Sequence, residues 1–249
     1  MGGSSEIRVG CCGWREARAR YFAHFPVVEL QDPFYEMPSP ALAAKWRAEA
    51  PADFRFCLKA WQLITHTPSS PTYRRLKSKV AESERGLYGS FRPTEQVALA
   101  WERTAEIAKV LDAAVVVFQC PASFVPSAEN VRNFRSFFEG IERGRSLLAW
   151  EPRGEWPPDL VRDLCQEFDL IHCVDPFAAE SVYGETTYWR LHGRGGYNYV
   201  YTEEELDWLA AETRKREGEV YVLFNNLAMA KDARRFGERL NPARFDPCG

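Results

Sequence analysis

Three pairs of polar residues stand two apart where apolar runs end: Glu29 and Gln31, Glu151 and Arg153, and Arg190 and His192. Positions i and i+2 on a strand project to the same face, so each pair points two functional groups in one direction. Arg153, Arg190 and Lys59 are fixed cations suited to phosphate or carboxylate oxygens. Glu29, Glu151 and Asp175 can accept a proton or pair with those cations, and His192 can exchange a proton near neutrality. The amides of Gln31, Gln119, Asn225 and Asn226 can hold a ligand's hydroxyl groups or the charged groups themselves. Trp61 and His66, just beyond Lys59, are further binding candidates. One such pair alone reads as ordinary solvation or an internal salt bridge; the set reads as a site.

Those residues need a frame that gathers them. Short apolar runs alternate with helix-periodic stretches along the whole chain. The strand-like runs are Ile7 to Cys12, Val27 to Leu30, Phe54 to Leu58, Ala114 to Phe118, Leu147 to Trp150, Leu170 to Val174, Thr186 to Leu191 and Val220 to Phe224. Helix-like stretches cover Arg15 to Phe25, Pro40 to Ala50, Thr94 to Val110, Ser127 to Ile141, Pro157 to Phe168, Thr202 to Arg216 and Leu227 to Leu240. The last but one opens with the capping-box match Thr202-Glu203-Glu204-Glu205. Near-continuous apolar strands indicate burial on both faces, which suits a parallel sheet. Eight strands alternating with helices in 249 residues predict one α/β domain over 1–249, a single (β/α)8 TIM-type barrel. Two irregularities are expected. A long basic connector without clear period, Trp61 to Phe91, follows the third strand, and the link between the sixth and seventh strands is too short for a helix. In such barrels the active site lies at the C-terminal strand ends, where the polar residues fall.

Composition narrows the alternatives. Hydrophobic residues make up 45% and charged residues 27%, and the net charge is −3, so no global basic field draws the chain to nucleic acid. No run approaches a membrane span, and Met1 to Ser5 lead straight into an apolar strand without signal-peptide features, which predicts a cytoplasmic address. The cysteines number seven, with no CxxC, which argues for free thiols over a disulfide scaffold. Neither GxGxxG nor a P-loop occurs. Metal chemistry is weakly signalled, since four histidines show neither HxH nor HExxH spacing. A single hard divalent cation on Glu29, Glu151 and Asp175 stays open, as does a soft metal on Cys11, Cys12 and Cys120.

Ordered motifs run through nearly the whole chain: Gly10-Cys11-Cys12-Gly13-Trp14, Val28-Glu29-Leu30-Gln31 with Phe34-Tyr35, Phe54-Arg55-Phe56 with Lys59-Ala60, Ile64-Thr65-His66, Glu151-Pro152-Arg153 with Trp156, Val174-Asp175-Pro176, Arg190-Leu191-His192-Gly193 and Phe224-Asn225-Asn226. In these the chain resembles the domain of unknown function 72 family, also called YecE-like. The resemblance implies a TIM barrel and no established activity. Members are similar to barrels of the xylose isomerase and apurinic endonuclease type, a fold analogy only. Cys11-Cys12 stands where many members carry Thr-Ser, and Gln31-Asp32 replaces a polar pair such as Asn-Ser. The Thr65 to Lys79 loop resembles that of thermophilic archaeal members.

Three functions follow as expectations. The first is cleavage of a phosphodiester in DNA or RNA, with Glu151 as base, His192 as acid and Lys59, Arg153 and Arg190 stabilising charge. Here the basic patch Arg74, Arg75, Lys77 and Lys79 holds backbone phosphates, and Tyr73, Tyr88 and Phe91 stack on bases. The second, close behind, is an enzyme on a small sugar phosphate or other anionic metabolite. The third is non-catalytic nucleic-acid binding through the connector.

Overall fold

The structure, a computed structural model, describes residues 6–78 and 80–241. In chain order the elements are β1 (Glu6–Cys12), α1 (Arg18–His24), β2 (Val27–Leu30), α2 (Asp32–Tyr35), α3 (Pro40–Glu49), β3 (Arg55–Lys59) and α4 (Gln62–Thr65). They continue with α5 (Glu95–Leu111), β4 (Val115–Gln119), α6 (Ala128–Gly140), β5 (Leu147–Glu151), α7 (Pro158–Glu167), β6 (Ile171–His172), β7 (Thr187–Leu191), α8 (Glu203–Arg214), β8 (Glu219–Phe224) and α9 (Met229–Leu240). All strand pairs are parallel, in the order β6-β5-β4-β3-β2-β1-β8-β7. The remaining seam, between β6 and β7, is closed by a bridge: Arg190 donates its amide to the Val174 carbonyl at 3.0 Å, and Val174 to the Tyr188 carbonyl at 3.4 Å. The expected barrel is therefore present, with its weakest joint at the abbreviated connection.

The strand side chains sort by parity. Cys12, Val27, Cys57, Val117, Ala149, Cys173, Tyr188 and Leu223 pack together inside the barrel. Their neighbours, such as Cys11, Val28, Leu58, Phe118, Trp150 and Phe224, pack outward against the helices. Helix ends follow local chemistry. Ser39, Thr94, Ser127 and Thr202 each accept a backbone N–H of the first turn, and the Thr202–Glu205 capping box forms. Tyr21, fully buried on α1, ties β1 to β2: its hydroxyl accepts the Cys11 amide at 2.8 Å and donates to the Val27 carbonyl at 2.9 Å.

The aperiodic connector is more ordered than its sequence implies. It holds α4 and two 3-10 turns, Pro71–Arg75 and Glu82–Leu87. Phe91 is sealed among Phe118, Phe124 and Phe134. The Tyr73 hydroxyl donates to the His66 carbonyl, and Tyr88 packs against the core. Phe91 is thus wall and not a stacking platform, while Tyr73 and Tyr88 are half-buried in the connector's own packing. Lys79 lies outside the described residues.

Candidate active site

Strand parity carries the interior layer upward. Two residues beyond Val27, Cys57, Val117, Ala149 and Tyr188 stand Glu29, Lys59, Gln119, Glu151 and Arg190; Gln31, Arg153 and His192 follow one step higher. Arg190 is at the centre and has no exposed surface. Its Nε and Nη2 donate to the Glu29 carboxylate at 3.0 and 2.8 Å, a bidentate pair. Its Nη1 donates to Gln119 Oε1 at 3.0 Å and to Glu151 Oε2. Glu29 also accepts from the Tyr188 hydroxyl at 2.9 Å and from the Gln31 amide. Fully buried and saturated with donors, Glu29 is the counter-ion that orients Arg190; a role as exposed base or metal ligand does not fit it.

Glu151 bridges this floor to the rim. Its other oxygen accepts from Arg153 Nε at 2.9 Å and lies 3.6 Å from His192 Nε2. Burial alone would push its carboxyl up, but Arg190, Arg153 and His192 outweigh burial and hold it at about 2. Such a carboxylate stays ionised and takes up a proton less readily than a free glutamate does. Arg153 Nη2 meets His192 Nε2 across the rim. Asp175 accepts the His192 amide at 2.8 Å and the Phe177 amide at 3.0 Å, so it shapes the turn that presents the imidazole.

Lys59 differs from its neighbours. It is 5% exposed. Its Nζ lies 3.4 Å from the centroid of the Phe34 ring and has no hydrogen-bond or ion-pair partner among the described residues. Burial, reinforced by the Arg190 charge, lowers its pKa to about 7.

Above this layer opens a cavity of about 680 Å³. Lys59, Gln119, Arg153, His192, Gln31 and Asn225 line it, as the sequence leads one to expect. Arg15, Asp32 and Arg75 complete its charged wall, with Trp14, Tyr35 and Tyr197 among its aromatic residues. Arg15 and Tyr197 were not singled out: they come from loops after β1 and β7, join across the opening at 2.6 Å, and carry no strand-end spacing. Phe34-Tyr35 was visible only as a motif without a role. A comparable hollow of about 590 Å³, between Ser70 and Arg85 on the connector, touches none of the strand-end residues.

Four expected binding residues lie elsewhere. Asn226 is buried and donates to the Tyr199 carbonyl and to Asp232, holding the loop before α8. Trp61 Nε1 donates to the Tyr35 carbonyl at 3.4 Å. His66 shares a 2.8 Å contact with Thr65 Oγ1 and meets the Phe34 ring edge-on, and burial, with Lys59 and Arg153 nearby, lowers its pKa to about 3. Arg74 faces the connector hollow. Of the remaining patch, Arg75 stacks 3.5 Å from the Tyr35 ring centroid and so belongs to the cavity, and the Lys77 amide is capped by Glu36.

Neither expected metal set assembles. Among the described residues no three His, Cys, Asp or Glu side chains are grouped to hold an ion. Cys11 and Cys12 project to opposite faces of β1, and Cys120 lies outside the barrel against Trp150. The six described cysteines are buried free thiols. Burial pushes the Cys11 thiol up to about 12, and that of Cys12 upward too.

With this geometry in hand, comparison places the chain among known proteins. The family model "Protein of unknown function DUF72" matches residues 8–247. The UPF0759 protein YunF of Bacillus subtilis (strain 168) is 25% identical over 239 residues, covering 83% of this chain and 79% of YunF. A DUF72 family protein of Enterococcus faecalis V583 superposes with a TM-score of 0.73 at 22% identity, over 95% of this chain and 98% of that one. Another from Thermotoga maritima MSB8 gives 0.68 at 21% identity, over 94% and 99%. An AP endonuclease, family 2, from Brucella melitensis gives 0.51 at 12% identity over 91% and 94%, a likeness of fold alone.

Proposed function

The chain belongs to the DUF72 family, and from the geometry of its barrel mouth we propose that it is an enzyme acting on a small anionic substrate that carries a phosphate or carboxylate group. The charge of the cavity wall carries this reading. Three arginines, Arg15, Arg75 and Arg153, and the titratable Lys59 face the space, against one carboxylate, Asp32. Beneath the wall Arg190 and Arg153 engage Glu29 and Glu151, and among the described residues Arg15 and Arg75 are the lining arginines without a carboxylate partner. A volume near 680 Å³ suits a metabolite-sized ligand. Arg153, partly exposed at the rim, offers a planar fork for the anion. Lys59 and His192 are the groups able to move a proton inside the cavity.

Phosphodiester cleavage in nucleic acid ranks lower. It asks for a cationic track with stacking rings and for a potent base or metal-activated water. The connector's rings are engaged in its own packing, Glu151 is a weak base, and the carboxylates are not arranged for a cation. The non-catalytic nucleic-acid reading leans on the same connector and weakens with it.

Thermal unfolding in the presence of inorganic phosphate, sugar phosphates and short carboxylates tests the proposal. A ligand at ~100 times its Kd adds about 2.7 kcal/mol of stability and so raises Tm by roughly 5–10 °C in a chain of this size. Arg153→Ala should cut the shift by about half or more. The reading fails if no anion moves Tm, or if the variant responds as the wild type does.

A further inference from the structure

Among the described residues, the buried charged side chains of the barrel mouth are ion-paired, with one exception. Arg190, Glu29, Glu151 and Arg153 form a closed chain of ion pairs; Arg15 is tied to Tyr197 and Arg75 to Tyr35. Lys59 is buried among them, and its Nζ has the face of Phe34 but no polar partner among the described residues. A ring face contributes ~2 kcal/mol to a desolvated ammonium. Removing an ammonium from water costs several kcal/mol even after relaxation. The ring therefore offsets only part of the burial, and the full positive charge of Arg190 beside the amine opposes protonation further. A lysine that is desolvated, next to a second cation and open to a cavity is set up as a free amine, which is the nucleophilic form.

We infer that Lys59 is a nucleophile whose amine forms an imine with the carbonyl carbon of an aldehyde or ketone bearing a phosphate or carboxylate group. This rests on the anionic-substrate reading above and adds the reacting group of the substrate. The Lys59 nitrogen pair attacks the carbonyl carbon while the C=O π pair moves to oxygen; the nitrogen gives up one proton and the oxygen takes one up, which leaves a neutral carbinolamine. Protonation of that hydroxyl lets it depart as water as the nitrogen pair forms the C=N bond. The net change is amine plus carbonyl plus one proton to iminium plus water, with no oxidant or reductant. His192 lines the same cavity, and an imidazole there can supply and recover the proton. The iminium restores a positive charge where the ammonium was suppressed, and the nearby Glu151 and Glu29 carboxylates favour it, against the opposing charges of Arg190 and Arg153. His66, in edge contact with Phe34, is held neutral by burial and adds no charge there.

Borohydride trapping tests this directly. The full chain is incubated with dihydroxyacetone phosphate or pyruvate, reduced with sodium borohydride, and digested for peptide mass mapping across its seven lysines. Lys59 should be labelled at least tenfold faster than any other lysine. Its labelling rate should rise with pH through about 7, inorganic phosphate should slow it, and the Lys59→Met variant, which lacks the amine, should show none of it. Labelling spread evenly over exposed lysines, or absent from Lys59 in protein whose Tm still rises with phosphate, overturns the imine and leaves the anion reading standing. Absence of both labelling and any phosphate effect overturns the two together.

Discussion

Arg190 holds two carboxylates below the cavity floor with no exposed surface of its own. The energetic asymmetry of such pairs is large. Removing one partner of a buried pair leaves an uncompensated charge and costs about 3–5 kcal/mol. Arg190→Met should therefore lower Tm by about 10 °C, measured near neutral pH. The same logic gives an acid limb. Glu151 titrates near 2 when folded, below the ordinary glutamate value. Its contribution is present above the unfolded value and is lost as pH falls toward 2; Glu151→Gln should flatten urea-unfolding stability over that window. Lys59 has the opposite sign. Below about pH 7 both states bind its proton and the folded state carries the full burial penalty. Between about 7 and ~10.4 only the unfolded state holds the proton, so stability rises with pH. Lys59→Met should then melt several degrees higher than wild type at pH 6.5, with the gap closing toward pH 10. A gap that is constant with pH would contradict a suppressed ammonium.

The strands were legible because their chemistry is two-layered. Apolar residues fill both faces of each strand until the barrel opens, and polar residues at i and i+2 mark where it does. That is why Glu29/Gln31, Glu151/Arg153 and Arg190/His192 could be assigned a common mouth before the topology was seen. Which of them meets ligand could not be read this way, since parity gives a face and not a depth. Glu29 and Arg190 share the face and are sealed beneath the cavity. Asn225 and Asn226 illustrate the converse: adjacent residues leave β8 to opposite sides, one to the cavity and one to Asp232. The connector resisted reading because its short helical turns are too brief to show a period and are fixed by long-range packing, as with Phe91. Two predictions belong to this scale. A Cβ at Gly10 would lie 2.1 Å from the Val27 carbonyl oxygen, so Gly10→Ala should destabilise by about 2–3 kcal/mol in urea unfolding. The β6–β7 seam rests on one bridge, so the Val174 and Arg190 amides should exchange hydrogen faster than those in β3–β4, such as Val117. Uniform protection around the barrel would contradict a seam.

At the scale of the molecule, a net charge of −3 coexists with a cationic cavity. Long-range attraction to a polyanion is therefore weak, while the enclosed wall concentrates positive charge over a few ångströms, within the screening length at physiological salt. Charge reversal at Arg74 and Lys77 should leave phosphate-induced stabilisation unchanged, because both lie outside the cavity wall. Wild-type affinity for single-stranded DNA should be no better than the ~10⁻⁴–10⁻⁶ M of non-specific binding. Tight, patch-dependent DNA binding would shift the account to the connector. No helix among the described residues is long and apolar enough to cross a membrane.

Titration calorimetry of inorganic phosphate into wild-type protein and the Arg153→Ala variant at pH 7 tests the central claim most directly. The account predicts saturable one-site binding to the wild type and at least a tenfold weaker isotherm for the variant. Absence of binding to the wild type, or equal affinity in both proteins, would contradict an anion-binding barrel mouth.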